Sequence, residues 1–201
     1  MSCVARYLSI SVLALFLFSD TLDAAQSRTF ELDPAQTTVA FTLGDVLHTV
    51  HGTFHLKQGK IQFDDTTGEA SGELVVDALS GESGNASRDK KMHKENLEST
   101  KYSEITFTPQ HIKGAVATNG KSQVDVDGLL MLHGQSRPFT LTLQVELQGG
   151  AGSADTAFVV PYEKWGVKNP STFLLRVSDK VQINVHSVGR LAPASPTPSG
   201  N

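Results

Sequence analysis

A single cysteine, Cys3, stands in the 201 residues, and it precedes an apolar run at the amino terminus. If that segment is removed on export, the mature chain has no disulfide and no thiolate chemistry. Also missing is any Gly-x-Ser-x-Gly elbow: Gly81-Glu82-Ser83-Gly84 has the wrong spacing and no apolar helix after it, so it reads as a loop. Gly149-Gly150-Ala151-Gly152 follows a strand and opens no helix, which excludes a phosphate cradle. Positive charge is scarce, since 17 Lys and Arg face 21 Asp and Glu for a net charge of -4. That balance argues against nucleic acid as a partner. No apolar run reaches the roughly 20 residues of a spanning helix, so stable membrane insertion is not expected.

What is present begins with a leader. Residues 1–25 open with Met1-Ser2-Cys3-Val4-Ala5-Arg6, continue through an apolar run from Tyr7 to Phe18, and end in the small pair Ala24-Ala25. This is the pattern of a secretory signal peptide, with periplasmic or secreted protein as the expected product. At the other end, residues 191–201 are rich in Pro and Ser and lack apolar periodicity, as a disordered tail does. Residues 26–190 then form one domain.

Within that domain the dominant period is two. Phe139, Leu141, Leu143, Val145 and Leu147 alternate with Thr140, Thr142, Gln144 and Glu146, the signature of a half-buried antiparallel strand. The preceding stretch, Gln123 to Leu132, alternates likewise and makes a hairpin with it. Weaker alternation runs through Thr38 to Leu43, Val50 to Leu56, Lys60 to Phe63, Glu69 to Val76, Glu104 to Thr108, Thr156 to Val160 and Val181 to Ser187. One polar, charge-rich string, Ser83 to Leu97, reads as a short helix with Ser87 near its N-cap and a narrow apolar stripe of Met92 and Leu97. Its place between strands suits a lid. The class is all-β, with the pattern leaving both a sandwich and a closed barrel open.

Histidines and carboxylates are the remaining carriers of chemistry. His51 and His55 share a strand face, but four residues separate them by roughly 13 Å, too far for one metal ion. A metal site needs His48, His93 or His133 to converge through the fold, and local hydrogen bonding is the competing role. Asp64-Asp65 sits at a turn and Asp125 with Asp127 on a polar strand face, so both read as solvated surface. No catalytic residue, metal or cofactor is expected.

Several strings taken together resemble the YceI-like family. His48-Thr49-Val50-His51-Gly52-Thr53-Phe54 with Gly59-Lys60-Ile61-Gln62-Phe63-Asp64 is similar to its opening. Arg88-Asp89, Met92-His93, Leu97, Tyr102 and Ile105-Thr106-Phe107 resemble its middle helix and following strand. Gly128 to Gly134 resembles its hairpin, and Trp165-Gly166-Val167 with Val177-Ser178-Asp179-Lys180-Val181 its final third. The resemblance spans Phe30 to Val188. It implies an exported, lipocalin-like, eight-stranded antiparallel β-barrel with a short helix, whose elongated cavity holds a polyisoprenoid or other long-chain apolar lipid.

On that reading Phe41, Phe54, Phe63, Leu74, Phe107, Leu130, Leu141, Leu143 and Ile183 line the cavity or the core. Arg88, His48 and His93 are placed to meet a polar headgroup at the mouth, and Arg88 has a competing role as a partner of Asp89 or Glu95. Trp165 is expected in an apolar flap with Phe173 and Leu174. A lipid carrier, monomeric or homodimeric, is the leading function. A histidine-dependent, metal-binding envelope enzyme and a ligand-free interaction barrel are the alternatives.

Overall fold

The computed structural model describes residues 27–44, 48–173 and 175–192. The leader expected over residues 1–25 lies outside them, as do Leu174 and most of the expected tail. Among the described residues nine strands are present: β1 (Ser27–Leu32), β2 (Thr38–Gly44), β3 (Thr49–Asp64), β4 (Ala70–Glu82), β5 (Glu104–Lys113), β6 (Gly120–Leu132), β7 (Gln135–Gln148), β8 (Ala151–Val160) and β9 (Val181–Ala192).

They occupy eight positions in a closed antiparallel barrel. From β2 to β9 each strand pairs with its sequence neighbour, and β9 returns to β2, so the ring closes. The extra strand is half of the first one. β1 pairs with the far halves of β3 and β9 (Phe30 opposite Ile61 and Leu191), while β2 pairs with their near halves (Phe41 opposite Gly52 and Ile183). Between the halves lies Asp33-Pro34-Ala35-Gln36-Thr37. Pro34 has no N–H for a ladder, and Asp33 folds the chain into a turn by accepting the Ala35 amide at 2.9 Å. Closure removes every sheet edge, which an open sheet of this size would have to protect.

Two bulges explain where simple alternation fails. In β3 the inward residues are Val50, Phe54 and Leu56 and then Ile61 and Phe63, because the register shift at Leu56/Gln58 puts one extra residue in the strand and changes its parity. The two strands expected from Val50 and from Lys60 are therefore one long bent strand. In β5 a shift between Pro109 and His111 moves the inward set from Ile105 and Phe107 to Ile112, and the strand runs on to Lys113. β8 begins at Ala151 because the β7–β8 connection is only Gly149-Gly150, both at positive φ. β9 continues through Leu191 and Ala192.

The expected helix is α1 (Ala86–Lys91), followed by a turn of π-helix, Met92–Asn96. Its cap is Asn85, not Ser87: the Asn85 side chain accepts the Arg88 amide at 3.0 Å. His93 ties this segment to β4. The acceptor-only Gly81 carbonyl lies 2.8 Å from Nε2, so Nε2 carries a proton, and Nδ1 shares a hydrogen bond of 3.0 Å with the Ser99 hydroxyl.

Candidate functional site

Inward-facing residues of all eight positions enclose a cavity of about 680 Å³. Its wall follows β9 from Val181 to Leu191, a path of roughly 34 Å along the strand and roughly 25 Å along a barrel axis after strand tilt. The lining is almost wholly aliphatic and aromatic through the middle of the barrel. Interior hydroxyls are few. Thr37 donates to Asp33 O at 2.8 Å and Ser187 to Ala154 O at 2.8 Å. Thr156 Oγ1 is shut off from solvent without a partner among the described residues.

Glycine sets the width at one end. Phe41 and Phe54 pack with their rings tilted, 5.3 Å between centroids, and a Cβ on Gly52 would lie 2.3 Å from the Phe41 ring and 2.2 Å from the Glu82 carbonyl. A Cβ on Gly81 would lie 2.4 Å from Phe54. Both rings occupy space that only glycine leaves.

The two ends differ chemically. At the end where β1 starts, Arg28 is buried at 7% exposure and lies over the Phe63 ring, 5.0 Å from its centroid. Its Nη2 donates to Val116 O at 2.8 Å and to Asp65 Oδ1 at 2.9 Å, and Nε forms an ion pair with Asp65 Oδ2 at 2.6 Å. Cation, ring and carboxylate together form a floor beneath Phe63.

At the opposite end the cavity meets polar side chains: Ser83, Ser87, Arg88, Lys91, Asn96 and Lys168. Arg88 donates from Nε to Ser83 Oγ at 2.7 Å and from Nη2 to Ser83 O at 2.8 Å, and not directly to Asp89 or Glu95, the partners of its competing role. The Ser83 hydroxyl in turn donates to Asp89 Oδ1 in a short hydrogen bond. Asn96 donates to Lys168 O at 2.8 Å, joining the helical segment to the β8–β9 connection. Nearby, Tyr162 lines the wall and donates to Ser178 O at 2.6 Å, and burial above all, with Glu163 and Asp179 adding, pushes its pKa up to about 12.

Of the residues singled out from sequence, Phe41, Phe54, Phe63, Leu74, Arg88, Phe107, Leu130, Leu141, Leu143 and Ile183 line this cavity. His48, His93 and Trp165 do not. His48 is exposed in the β2–β3 connection, and His93 is committed to Gly81 and Ser99. Trp165 is buried at 3% exposure, donates to Leu130 O at 3.1 Å and packs edge-on to Phe139. Phe173 is 95% exposed, so the two do not form a common flap. Among the described residues no three His, Cys, Asp or Glu converge as a metal site.

Sequence alone marks Ser87 only as a capping residue, and it does not single out the mouth residues Lys91 and Lys168 or the floor residue Arg28. Helical spacing carried a signal for Ser87 and Lys91, since positions 87, 88, 91 and 92 share one face. Arg28 gave none beyond its parity with Phe30 and Leu32.

Known structures share this architecture. The fold matches Burkholderia cenocepacia BcnA with a TM-score of 0.64 at 19% identity, covering 78% of this chain and 98% of that one. It also matches a polyisoprenoid binding domain from Saccharophagus degradans implicated in plant cell wall breakdown, with a TM-score of 0.63 at 20% identity, covering 81% and 98%. In sequence, a UPF0312 protein of Vibrio parahaemolyticus is 33% identical over 94 residues, 46% of this chain and 48% of the relative. The aligned segment thus spans about half the length of the curated relatives it matches. The YceI-like domain model matches over residues 30–188, nearly the whole barrel, and the chain belongs to the YceI-like family.

Proposed function

We propose that this protein is a non-enzymatic, exported carrier that holds a long-chain apolar lipid, such as a polyisoprenoid or isoprenoid quinone, for transport, storage or sequestration. The observation that carries this reading is the cavity itself: about 680 Å³, elongated, apolar through the barrel and polar at one end. A binding protein needs shape, an apolar lining and a few placed polar groups. In this reading the aromatic and aliphatic residues from Phe41 to Ile183 hold the chain, and Arg88 with Ser87, Lys91 and Lys168 meets the headgroup. A charged donor there suits a phosphate or carbonyl oxygen. The isoprenoid class is favoured by the fold shared with the Saccharophagus degradans domain.

The energy scale favours a long ligand. About 0.8 kcal/mol per buried methylene gives a dozen methylenes on the order of 10 kcal/mol gross. Association costs of roughly 4 to 15 kcal/mol take most of that, so a short fatty acid would be held weakly. Native mass spectrometry of untreated protein from an extracytoplasmic fraction tests the proposal. A mass increment in the range of a long-chain lipid is the expected result. A bound metal ion in its place would favour an enzyme, and bare protein an interaction barrel.

A further inference from the structure

The mouth end of the barrel carries a second feature that lipid retention does not require. Phe173 stands 95% exposed in a turn closed by the Thr172 amide donating to Leu175 O at 2.8 Å and the Leu175 amide donating to Thr172 Oγ1 at 3.1 Å. Pro170 and Leu175, on either side of it, line the cavity. An aromatic ring fully in water beside the opening gains nothing for the fold.

The two segments that flank the mouth carry charge of the opposite sign to the rest of the protein. These segments, 83–103 and 161–180, hold nine of the chain's 17 Lys and Arg and only five of its 21 Asp and Glu. Elsewhere acidic residues outnumber basic ones two to one. Lys90, Lys94, Lys101, Lys164, Lys168, Arg176 and Lys180 are all exposed in these segments, and the Asn96 to Lys168 hydrogen bond holds the two together.

From this polarity we infer that the mouth face docks on an anionic lipid bilayer surface, with Phe173 seated in the interfacial region and the surrounding cations against the headgroups. An aromatic ring and a cluster of Lys and Arg on one face are the two contributions that hold a peripheral protein on such a surface. The acidic remainder is repelled by the same surface, so one orientation is selected, with the cavity opening toward the membrane. Docking stands without the carrier reading. Transfer of a lipid between bilayer and cavity rests on both.

Co-sedimentation of the full chain with vesicles of phosphatidylcholine alone, and of phosphatidylcholine mixed equally with phosphatidylglycerol, is the test. Binding is expected to the mixed vesicles and not to the neutral ones, and to weaken as salt is added. Phe173→Ser should lower the partition constant about tenfold. Lys94→Gln and Lys164→Gln should each lower it about fivefold. None of these residues lines the cavity, so extracted lipid content and the melting curve should stay at the unsubstituted level. Loss of docking with lipid retained therefore separates this inference from the carrier reading. Equal binding to both vesicle types, no binding to either, or an unchanged Phe173→Ser would overturn it. So would concentration-dependent self-association abolished by Phe173→Ser, which would make the face a contact between two copies.

Discussion

Arg28 and Asp65 close one end of the barrel: the buried guanidinium reaches the carboxylate at 2.6 Å with the Phe63 ring packed against it. The pair is asymmetric, because the Arg28 side chain is 9% exposed and that of Asp65 is 39% exposed. Asp65→Ala leaves a buried cation with Val116 O as its remaining acceptor and should cost about 2 to 3 kcal/mol. Arg28→Leu leaves a carboxylate that water can reach and should cost less than about 1 kcal/mol. Urea unfolding of both variants checks the order. A larger loss in Arg28→Leu would mean that packing against Phe63, not charge burial, holds the floor.

Gly52→Ala is expected to destabilise by about 1 to 3 kcal/mol, since the new methyl meets the Phe41 ring and the backbone carbonyl of Glu82 together. Only the ring can move. Ligand content should fall with stability in this variant, as Phe41 turns into the cavity, and thermal melting with lipid extraction reads both.

Tyr162 supplies a pH dependence whose sign follows from its buried hydroxyl. Its folded pKa is raised from 10.0 to about 12, so the folded state holds the proton more tightly than the unfolded chain. The stabilisation is complete below pH 10 and is lost as pH rises toward 12. Tyr162→Phe should flatten that alkaline limb while losing the Ser178 hydrogen bond at neutral pH, roughly 1 kcal/mol. Chemical denaturation at a series of alkaline pH values is the measurement.

The lid's helical start is set by Asn85, so Asn85→Ala should cost about 1 kcal/mol and speed amide exchange from Ala86 to Lys91. Ser87→Ala should leave that exchange nearly unchanged. Hydrogen exchange read by mass spectrometry distinguishes them.

What sequence made legible follows from how regular each element is. β7 keeps strict alternation from Phe139 to Leu147 because it has no bulge, and its inward residues Leu141 and Leu143 do face the cavity. β3 reads as two strands because the bulge at Leu56/Gln58 reverses its parity, which pattern reading cannot tell from a turn. β1 escaped notice because it is six residues long with a charged residue, Arg28, at an inward position. Closed barrel against sandwich was decided by β9 pairing with β2 and by the interrupted first strand, both long-range facts. At the site, alternation found the wall, while the histidines drew attention that the mouth cations Lys91 and Lys168 merited.

The central claim is that the cavity holds a long apolar chain, and Leu143→Trp tests it most directly. Leu143 lines the cavity on the most regular strand. A tryptophan there fills space that a ligand would use, whereas in a solid core it would overpack at a cost of roughly 1 to 3 kcal/mol. Organic extraction followed by mass spectrometry should return a long-chain lipid from the unsubstituted protein and markedly less from Leu143→Trp, with the melting temperature preserved. Absence of lipid from the unsubstituted protein, or unchanged lipid with a large fall in melting temperature, would contradict the account.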